Sequence, residues 1–583
     1  MTDVMNRPWF INRTNAEFVR YLSQSASISP IFAQVLINRG IKTTSDIHDF
    51  LSEGITGLAD PFELPGMRAA IERIKEAVTQ GHRVLVHGDY DTDGLTAAAI
   101  MMHTLRCLGL DAHYFIPNRV VHGYGFTADT VHVAKKLGAR LIITVDCGIT
   151  SFDAAGLAGN EGIDVIITDH HEPHRKPDVV SGAQTVQDEF VVPDAVAVVN
   201  PKLRVPDSRL SILSGAGVAF KLAQAAALEG GLRFSSDDSL SLLDLAALGT
   251  VADVVPVTGE NRIIVKEGMR SINNSRRAGI KALKDVCGLG SREIRAGLLA
   301  FTIVPRINAA GRIADSRDVV RLLLSEDDGE SQELSTWLDG LNAERQKIEE
   351  RVYEQALAKV DTSEIDSAVV LAGEGWHQGV LGIVASRVAE EFGRPAFIFS
   401  IENGVAKGSA RSIPSFDICK GLAGCEGLLL SFGGHKQAAG IRLKAENLPE
   451  FGKTMKEIIK DSIGKDDLLS SIEIDADVSL SEVTHSLVKE LAMLEPLGYG
   501  NPEPLFGSRE LEVVNPRIVG KNHLKMKLRK SSHSHDTIGF DMGAVFEDLD
   551  FPSRLDVVFT PGINEWNGGR YLQLVLRAIR PSL

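Results

Sequence analysis

Residues 83–93 read Arg-Val-Leu-Val-His-Gly-Asp-Tyr-Asp-Thr-Asp. The run Val84-Leu85-Val86 is short, apolar and partly β-branched, which suits a buried strand. It breaks into His87, Asp89, Asp91 and Asp93, and Gly94 permits a tight exit into an Ala-rich stretch that predicts a helix near 94–109. A buried parallel strand that ends this way puts its polar groups at the carboxyl edge of a sheet, where open α/β folds bind ligands. Four ionisable groups within seven residues repel one another unless positive charge sits among them. One divalent cation, or two, meets that need.

The pattern recurs downstream. Leu141–Val145 runs into Asp146, Val165–Thr168 into Asp169-His170-His171, and Ala195–Val199 into Asn200-Pro201. Short apolar strands separated by helical stretches predict a parallel sheet with crossover helices. Three of these strands end in acid or histidine. Any one such end has a bland reading, because loops are solvated, but His-x3-Asp-x-Asp with two similar ends favours metal over solvation. Hard ions such as Mn2+ or Mg2+ prefer carboxylates, and imidazole pulls toward Mn2+. Asp146 and Asp169 each stand also as helix N-caps. Adjacent His170 and His171 point in different directions, so His170 is read as a ligand and His171 as a phosphate contact. Asp253, after a helix predicted over 238–248, is either a further ligand or a helix cap.

At 583 residues the chain is too long for one core, and three or four domains are expected. Apolar residues make up 44% and charged residues 24%, and no apolar run is long enough to span a bilayer. The N-terminal residues lack the layout of a secretory signal. Five scattered cysteines imply no disulfide framework and fit a reducing cytoplasm. Cys419 and Cys425 lack the usual zinc-knuckle spacing. A net charge of −15 argues against a generic polyanion binder. A local basic track plus bound cations would still suffice for a nucleic acid.

Residues 1–80 read as a helical segment and 81–331 as the sheet-bearing domain. Within it, residues 302–312 read as a loop reaching an anion through Arg306, Asn308 and Arg312, since guanidinium groups match phosphate oxygens. Residues 332–361 predict one amphipathic helix of about eight turns. A second α/β unit follows over 362–465, with a tight turn at Gly433-Gly434-His435. There Ser409 and Arg411 read as a second anion spot or an ordinary surface turn, and Trp376 as packing. Residues 466–583 change to short strands and predict a small β-barrel of the oligonucleotide-binding (OB) size. Lys525, Lys527, Arg529 and Lys530 run along one such strand, as a nucleic-acid track or a solvated edge.

Asp169-His170-His171 resembles the signature of the DHH phosphoesterases, and His87/Asp91/Asp93, Asp146 and Asp253 match its other motifs. Gly408-Ser409-Ala410-Arg411-Ser412 and Gly433-Gly434-His435 resemble the associated DHHA1 domain. More narrowly, three stretches resemble the RecJ-like family: residues 376–387, Pro305–Arg312 and Gly498–Pro504. Gln378 departs from that pattern, where proline is expected. The resemblance implies an α/β multidomain fold, in which a parallel-sheet DHH domain and a smaller α/β DHHA1 domain are joined by a long helix, plus a C-terminal OB-like barrel. It implies a single-stranded-DNA-specific 5′→3′ exonuclease of DNA repair and recombination that releases 5′-mononucleotides. Two Mn2+ or Mg2+ ions would be held by His87, Asp91, Asp93, Asp146, His170 and Asp253, with Asp146 shared between them. His171 with Arg306 or Arg312 would hold the scissile phosphate, and Ser409, Arg411 and Arg119 the 5′ phosphate. Single-stranded DNA is the implied partner of a cytoplasmic monomer without membrane contact, with a single-strand-binding protein and a helicase as associates. The alternative within the superfamily is a phosphodiesterase for short oligonucleotides or cyclic dinucleotides, which would lack the barrel. An inactive scaffold that only grips DNA would have lost its acids, and here every ligand position is filled.

Overall fold

Val84–Gly88 is the second strand of a five-stranded sheet ordered Ala112–Phe115, Val84–Gly88, Leu141–Val145, Asp164–Thr168, Ala197–Val199, all parallel. The first crossover leads one way from Val84–Gly88 and the later ones lead the other way. A topological switch point therefore falls between Val84–Gly88 and Leu141–Val145. Both strands are buried throughout, which explains their unbroken apolar sequence. Alternate residues serve two cores. Val84, Val86, Ile143 and Val145 pack with helices Thr92–Cys107, Gly215–Leu228 and Leu243–Ala252. Leu85, Ile142, Val165 and Ile167 pack with Ala128–Leu137 and Phe152–Asn160. Helix Thr92–Cys107 is buried almost all round, which its run Ala97-Ala98-Ala99 makes sterically possible.

This computed structural model describes residues 8–118, 123, 125–175, 190–203, 209–274, 276–360, 367–464, 471–566 and 568–582. They divide into two units, Thr14–Asn342 with His485–Pro504, and Met1–Arg13 with Ala343–Thr484 and Leu505–Leu583. No described helix is long and apolar enough to cross a membrane.

In the other unit, a five-stranded sheet runs Leu429–His435, Ala438–Lys444, Val405–Arg411, Ala396–Glu402, Val369–Glu374, with only the last pair parallel. Phe397 and Phe399 meet Phe451 edge-on beneath it, and Ile398 packs with helix Leu381–Phe392 on the opposite face. The C-terminal strands Phe506–Val519, His523–Lys530, His533–Gly539, Gly569–Pro581 and Arg554–Trp566 pair in that order. Phe506–Val519 then pairs with Arg554–Trp566, which closes a five-stranded barrel. This order, with one parallel pair and helix Gly543–Asp548 before the fourth strand in sequence, is that of an OB barrel. The expected fold class is thus observed.

Several local readings differ. Residues 302–312 are no loop but part of helix Ala296–Ile313, with Pro305 inside it. Ile303, Val304, Ile307 and Ala310 form a buried stripe. Burying them, at about 1.5–3 kcal/mol per large side chain, outweighs the roughly 3 kcal/mol cost of an internal proline. The helix predicted over 238–248 is two, Ser236–Leu240 and Leu243–Ala252. Gly433-Gly434-His435 ends a strand, and the turn lies at Lys436–Gln437, between paired His435 and Ala438. Residues 1–80 hold the expected helices but also the strand Trp9–Ile11, which pairs in parallel with Ile472–Ile474. The long helix spans Asp328–Leu357.

One buried ion pair braces the parallel-sheet unit. Lys221 Nζ lies 2.5 Å from Glu260 Oε1 and donates to the Ala59 carbonyl, while Ala59 N–H donates to Glu260. Glu260→Ala strands the ammonium without a counter-charge, so urea unfolding is expected to show a loss of about 3–5 kcal/mol. A loss below about 1 kcal/mol would show the pair to be dispensable.

Candidate active site

The acids gather at the switch point. Asp93 lies in the first turn of Thr92–Cys107, and its carboxylate accepts the Gly215 N–H at 2.6 Å and the Ala216 N–H at 2.9 Å. Those N–H groups open helix Gly215–Leu228, whose N-terminus favours an anion. Asp146 directly follows its strand with φ +61°, a left-handed conformation that aspartate tolerates better than most residues. Space is tight. A Cβ at Gly249 would lie 2.6 Å from Asp93 Oδ1, and one at Gly215 would strike the Asp146 carboxylate. His170 Nε2 lies 3.1 Å from Asp146 Oδ1, 3.6 Å from Asp253 Oδ2 and 3.9 Å from Asp93 Oδ2. Three carboxylates from three elements thus ring one imidazole nitrogen.

Among the described residues, three groups bring candidate ligand atoms within 4.8 Å of one another: Asp146-His170-His171, Asp93-His170-Asp253 and Asp89-Asp91-Asp146. Asp146 belongs to two of them. Burial and the charge of Asp91 push Asp93 up to about 7, and burial and Asp93 push Asp253 up to about 9. Asp146 is raised well above the usual carboxylate range, by burial and then by Asp93, Asp91 and Asp253. Buried Asp146 Oδ1 and Asp253 Oδ2 have no hydrogen-bond partner, and neither has His87 Nε2. Buried oxygens and neutral imidazole left over from hydrogen bonding are the donor set that a hard divalent cation takes. The residues therefore fit Mn2+ or Mg2+.

His87 ends the first strand outside those three groups. Burial lowers it to about 4, so the ring is neutral, and its Nδ1 is hydrogen-bonded with Thr130 Oγ1 at 3.0 Å. Asp169 caps no helix. It accepts hydrogen bonds from the N–H groups of Ile149, His170 and His171 and from His171 Nδ1, the last at 2.8 Å. Asn200 Nδ2 donates to the His171 carbonyl from the neighbouring strand end. Burial opposes charge on His171, but the hydrogen bond and charge of Asp169 prevail and push it up to about 9. The sequence reading missed Asp169 as the pivot of this turn, and it counted Asp89 among the clustered acids without placing it in the ligand set, although it stands in one of the three groups.

The remaining predicted residues divide. Asn308 Oδ1 accepts from Thr92 N–H and Oγ1, which binds helix Ala296–Ile313 to the turn that carries Asp91 and Asp93. Gly311 is packed so closely on the Tyr90 carbonyl that no Cβ fits. Arg306 instead pairs with Asp339 at 2.8 Å. Arg312 lies on the same helix, and Arg119 lies outside the described residues. Ser409 and Arg411 sit on a strand, not a surface turn, with Arg411 Nη1 donating to Ser409 Oγ. Both adjoin Gly382 at the start of helix Leu381–Phe392, where a Cβ would lie 3.2 Å from Ser409 Oγ. In the barrel, Leu524, Met526 and Leu528 point inward and Lys525, Lys527 and Arg529 outward. Arg529 forks onto Glu512, and Lys527 lies 3.8 Å from Asp536. Buried Trp376 donates to Gln355, so it packs as expected.

A switch-point cluster of acids with an Asp-His-His turn, followed by a second α/β domain, defines a metal-dependent phosphoesterase of the DHH class. Family models match accordingly: the DHH family N-terminal domain over residues 83–250, the DHHA1 domain over 365–461 and the RecJ OB domain over 474–578. The single-stranded-DNA-specific exonuclease RecJ of Bacillus subtilis strain 168 is 38% identical over 574 residues, 98% of this chain and 70% of that protein. The RecJ exonuclease of Escherichia coli K12 is 33% identical over 95% of this chain and 96% of its own. The crystal structure of RecJ in complex with Mn2+ from Thermus thermophilus superposes with a TM-score of 0.84 at 32% identity, over 99% of this chain and 80% of that one. The chain belongs to the RecJ family.

Asp169→Asn removes the charge that holds His171 as a cation while leaving the carboxylates around His170 in place. Nuclease rate is expected to fall about 10²–10³-fold, the cost of losing one transition-state donor. Mn2+ binding measured by calorimetry is expected to stay within a factor of about three. Unchanged turnover would remove His171 from the chemistry.

Proposed function

We propose that the chain is a single-stranded-DNA-specific 5′→3′ exonuclease that hydrolyses phosphodiester bonds and releases 5′-mononucleotides in DNA repair and recombination. The observation that carries this reading is the ring of Asp93, Asp146 and Asp253 around His170, with buried oxygens left over, in a chain of the RecJ family. Asp91, Asp93, Asp146, His170 and Asp253, with His87 from the strand end, would hold two Mn2+ or Mg2+ ions, and Asp146 is common to two of the candidate groups. Such ions, when bound, supply a nucleophilic water at neutral pH and offset charge on the phosphate.

The chain's own groups do the rest. His171, charged through Asp169, donates to a non-bridging phosphate oxygen. Arg312 is the better partner arginine. It stands four residues from Asn308, on the helix face that abuts the Asp91–Asp93 turn, whereas Arg306 points to Asp339. Ser409 and Arg411, beside the N-terminus of Leu381–Phe392, hold the terminal 5′ phosphate, with Arg119 as a further contact. The barrel follows single strand through Lys525, Lys527 and Arg529 and through stacking.

We assign residues 81–331 to catalysis and 362–465 to holding the strand end. Residues 466–583 bind strand, except that 485–504 belong with the catalytic unit. The chain works as a cytoplasmic monomer, and a single-strand-binding protein and a helicase supply its substrate. Its five cysteines, all free, support a reducing compartment.

Strands labelled at the 5′ or the 3′ end and digested with Mn2+, Mg2+ or chelator test the reading. Label is expected to leave the 5′ end first as mononucleotide, with no cleavage in chelator. Asp146→Ala is expected to keep its circular dichroism and lose at least about 10³-fold in rate. Near-wild-type cleavage by that variant, or preference for dinucleotides over long strands, would refute the proposal.

A further inference from the structure

Residues 485–504 follow the second α/β domain in sequence, yet they pack within the unit that carries the acids. Their contacts converge on the turn just after Asp253. Val257 N–H donates to the Tyr499 carbonyl at 2.7 Å. Gly498 lies so close that a Cβ there would meet Val257 Cγ2 at 2.7 Å, and one at Gly500 would meet Pro256 at 3.2 Å. Arg262, in helix Gly259–Asn273, donates to the Leu494 carbonyl at 2.8 Å and the Met493 carbonyl at 3.1 Å, with its guanidinium over the Phe50 ring. Buried Asn501 donates to the Leu494 and Pro496 carbonyls and accepts from Arg39. The segment is therefore bound to the unit by side chains on both flanks and braced within itself.

The turn it touches needs that support. Asp253 caps helix Leu243–Ala252, and Val254 beside it has φ +59°. A left-handed backbone is unfavourable for a β-branched residue and persists only where its surroundings over-determine it. On one side Asn261 Nδ2 holds the Pro256 carbonyl. On the other side, Tyr499, Gly498 and Gly500 fix Val257 and Pro256.

We infer that residues 493–501 are a positioning element for Asp253. They touch neither substrate nor ion and act through the Val254–Val257 turn. The inference rests on the reading of Asp253 as a metal ligand. Without this support Val254 relaxes toward an ordinary φ, and the rotation next to Asp253 draws its carboxylate away from His170 Nε2. A motif that follows the second α/β domain in sequence thus sets the affinity of the first domain for a cation.

Gly498 does not occupy a glycine-only backbone region, so alanine perturbs packing alone. The test is titration of the full-length chain with Mn2+, followed by electron paramagnetic resonance of the free ion. Wild type is expected to bind two ions. Gly498→Ala is expected to weaken one of them about 10–100-fold, the range for partners that orient a ligand. Excess Mn2+ is expected to restore cleavage. Adding Val257→Ala removes the Cγ2 that the new methyl strikes, and is expected to return the affinity to that of wild type. Equal affinity in wild type and Gly498→Ala overturns this inference alone, as does a loss that Val257→Ala leaves uncorrected. A wild-type chain that binds no Mn2+ overturns the metal reading and this inference with it.

Discussion

Like charges buried side by side must be compensated, and this unit compensates its acids in different ways. Asp169 receives three backbone N–H groups and a charged imidazole, and it stays below the usual carboxylate range although burial opposes this. Asp93 receives a helix N-terminus, which restrains its rise without cancelling it. Asp146 and Asp253 each keep a buried oxygen with no hydrogen-bond partner, and both are pushed well up. A fully compensated carboxylate is a structural anion, while an uncompensated one reserves its charge for a cation.

The strand ends were legible because the clustered acids and histidines are mostly local to strands whose burial on both faces leaves an unbroken apolar signature. Val84–Val86 and Leu141–Val145 announce themselves, and whatever follows them stands at the sheet edge. Helix Ala296–Ile313 was not legible, because Pro305, Asn308 and Gly311 read as breakers, and only the buried stripe around Ile307 shows otherwise. The barrel strand His533–Gly539 is not legible for a different reason. Its Ser-His-Asp composition carries no alternation, and ladders on both sides supply the order that its side chains do not. Partnerships across hundreds of positions, such as Asn308 with Thr92 or Arg262 with Leu494, leave no local mark at all.

The acidic balance of the chain bears on how it meets a polyanion. Outward cations of the barrel stand beside acids, Arg529 with Glu512 and Lys527 with Asp536. Exposed pairs of this kind contribute little to stability, so a phosphate can replace the acid at small cost. Acids beside these cations lower the background attraction for any nucleic acid. A net charge of −15 is therefore compatible with a strand-binding surface, because it removes long-range attraction without removing contact partners.

Two acids of the cluster sit at or beside a left-handed backbone, Asp146 itself and Asp253 through Val254. Strain of this sort is stable only under close confinement, and the confining groups come from far away in sequence: Gly215 against Asp146, and Gly498 and Tyr499 against the turn after Asp253. Most residues that would donate to a cation are read from strand ends, with Asp253 at a helix end the exception. Residues that fix their geometry are glycines and backbone carbonyls, chosen for what they leave out. A site with every acid present can therefore fail when one methyl group enters its surroundings, since close packing has no slack to absorb it.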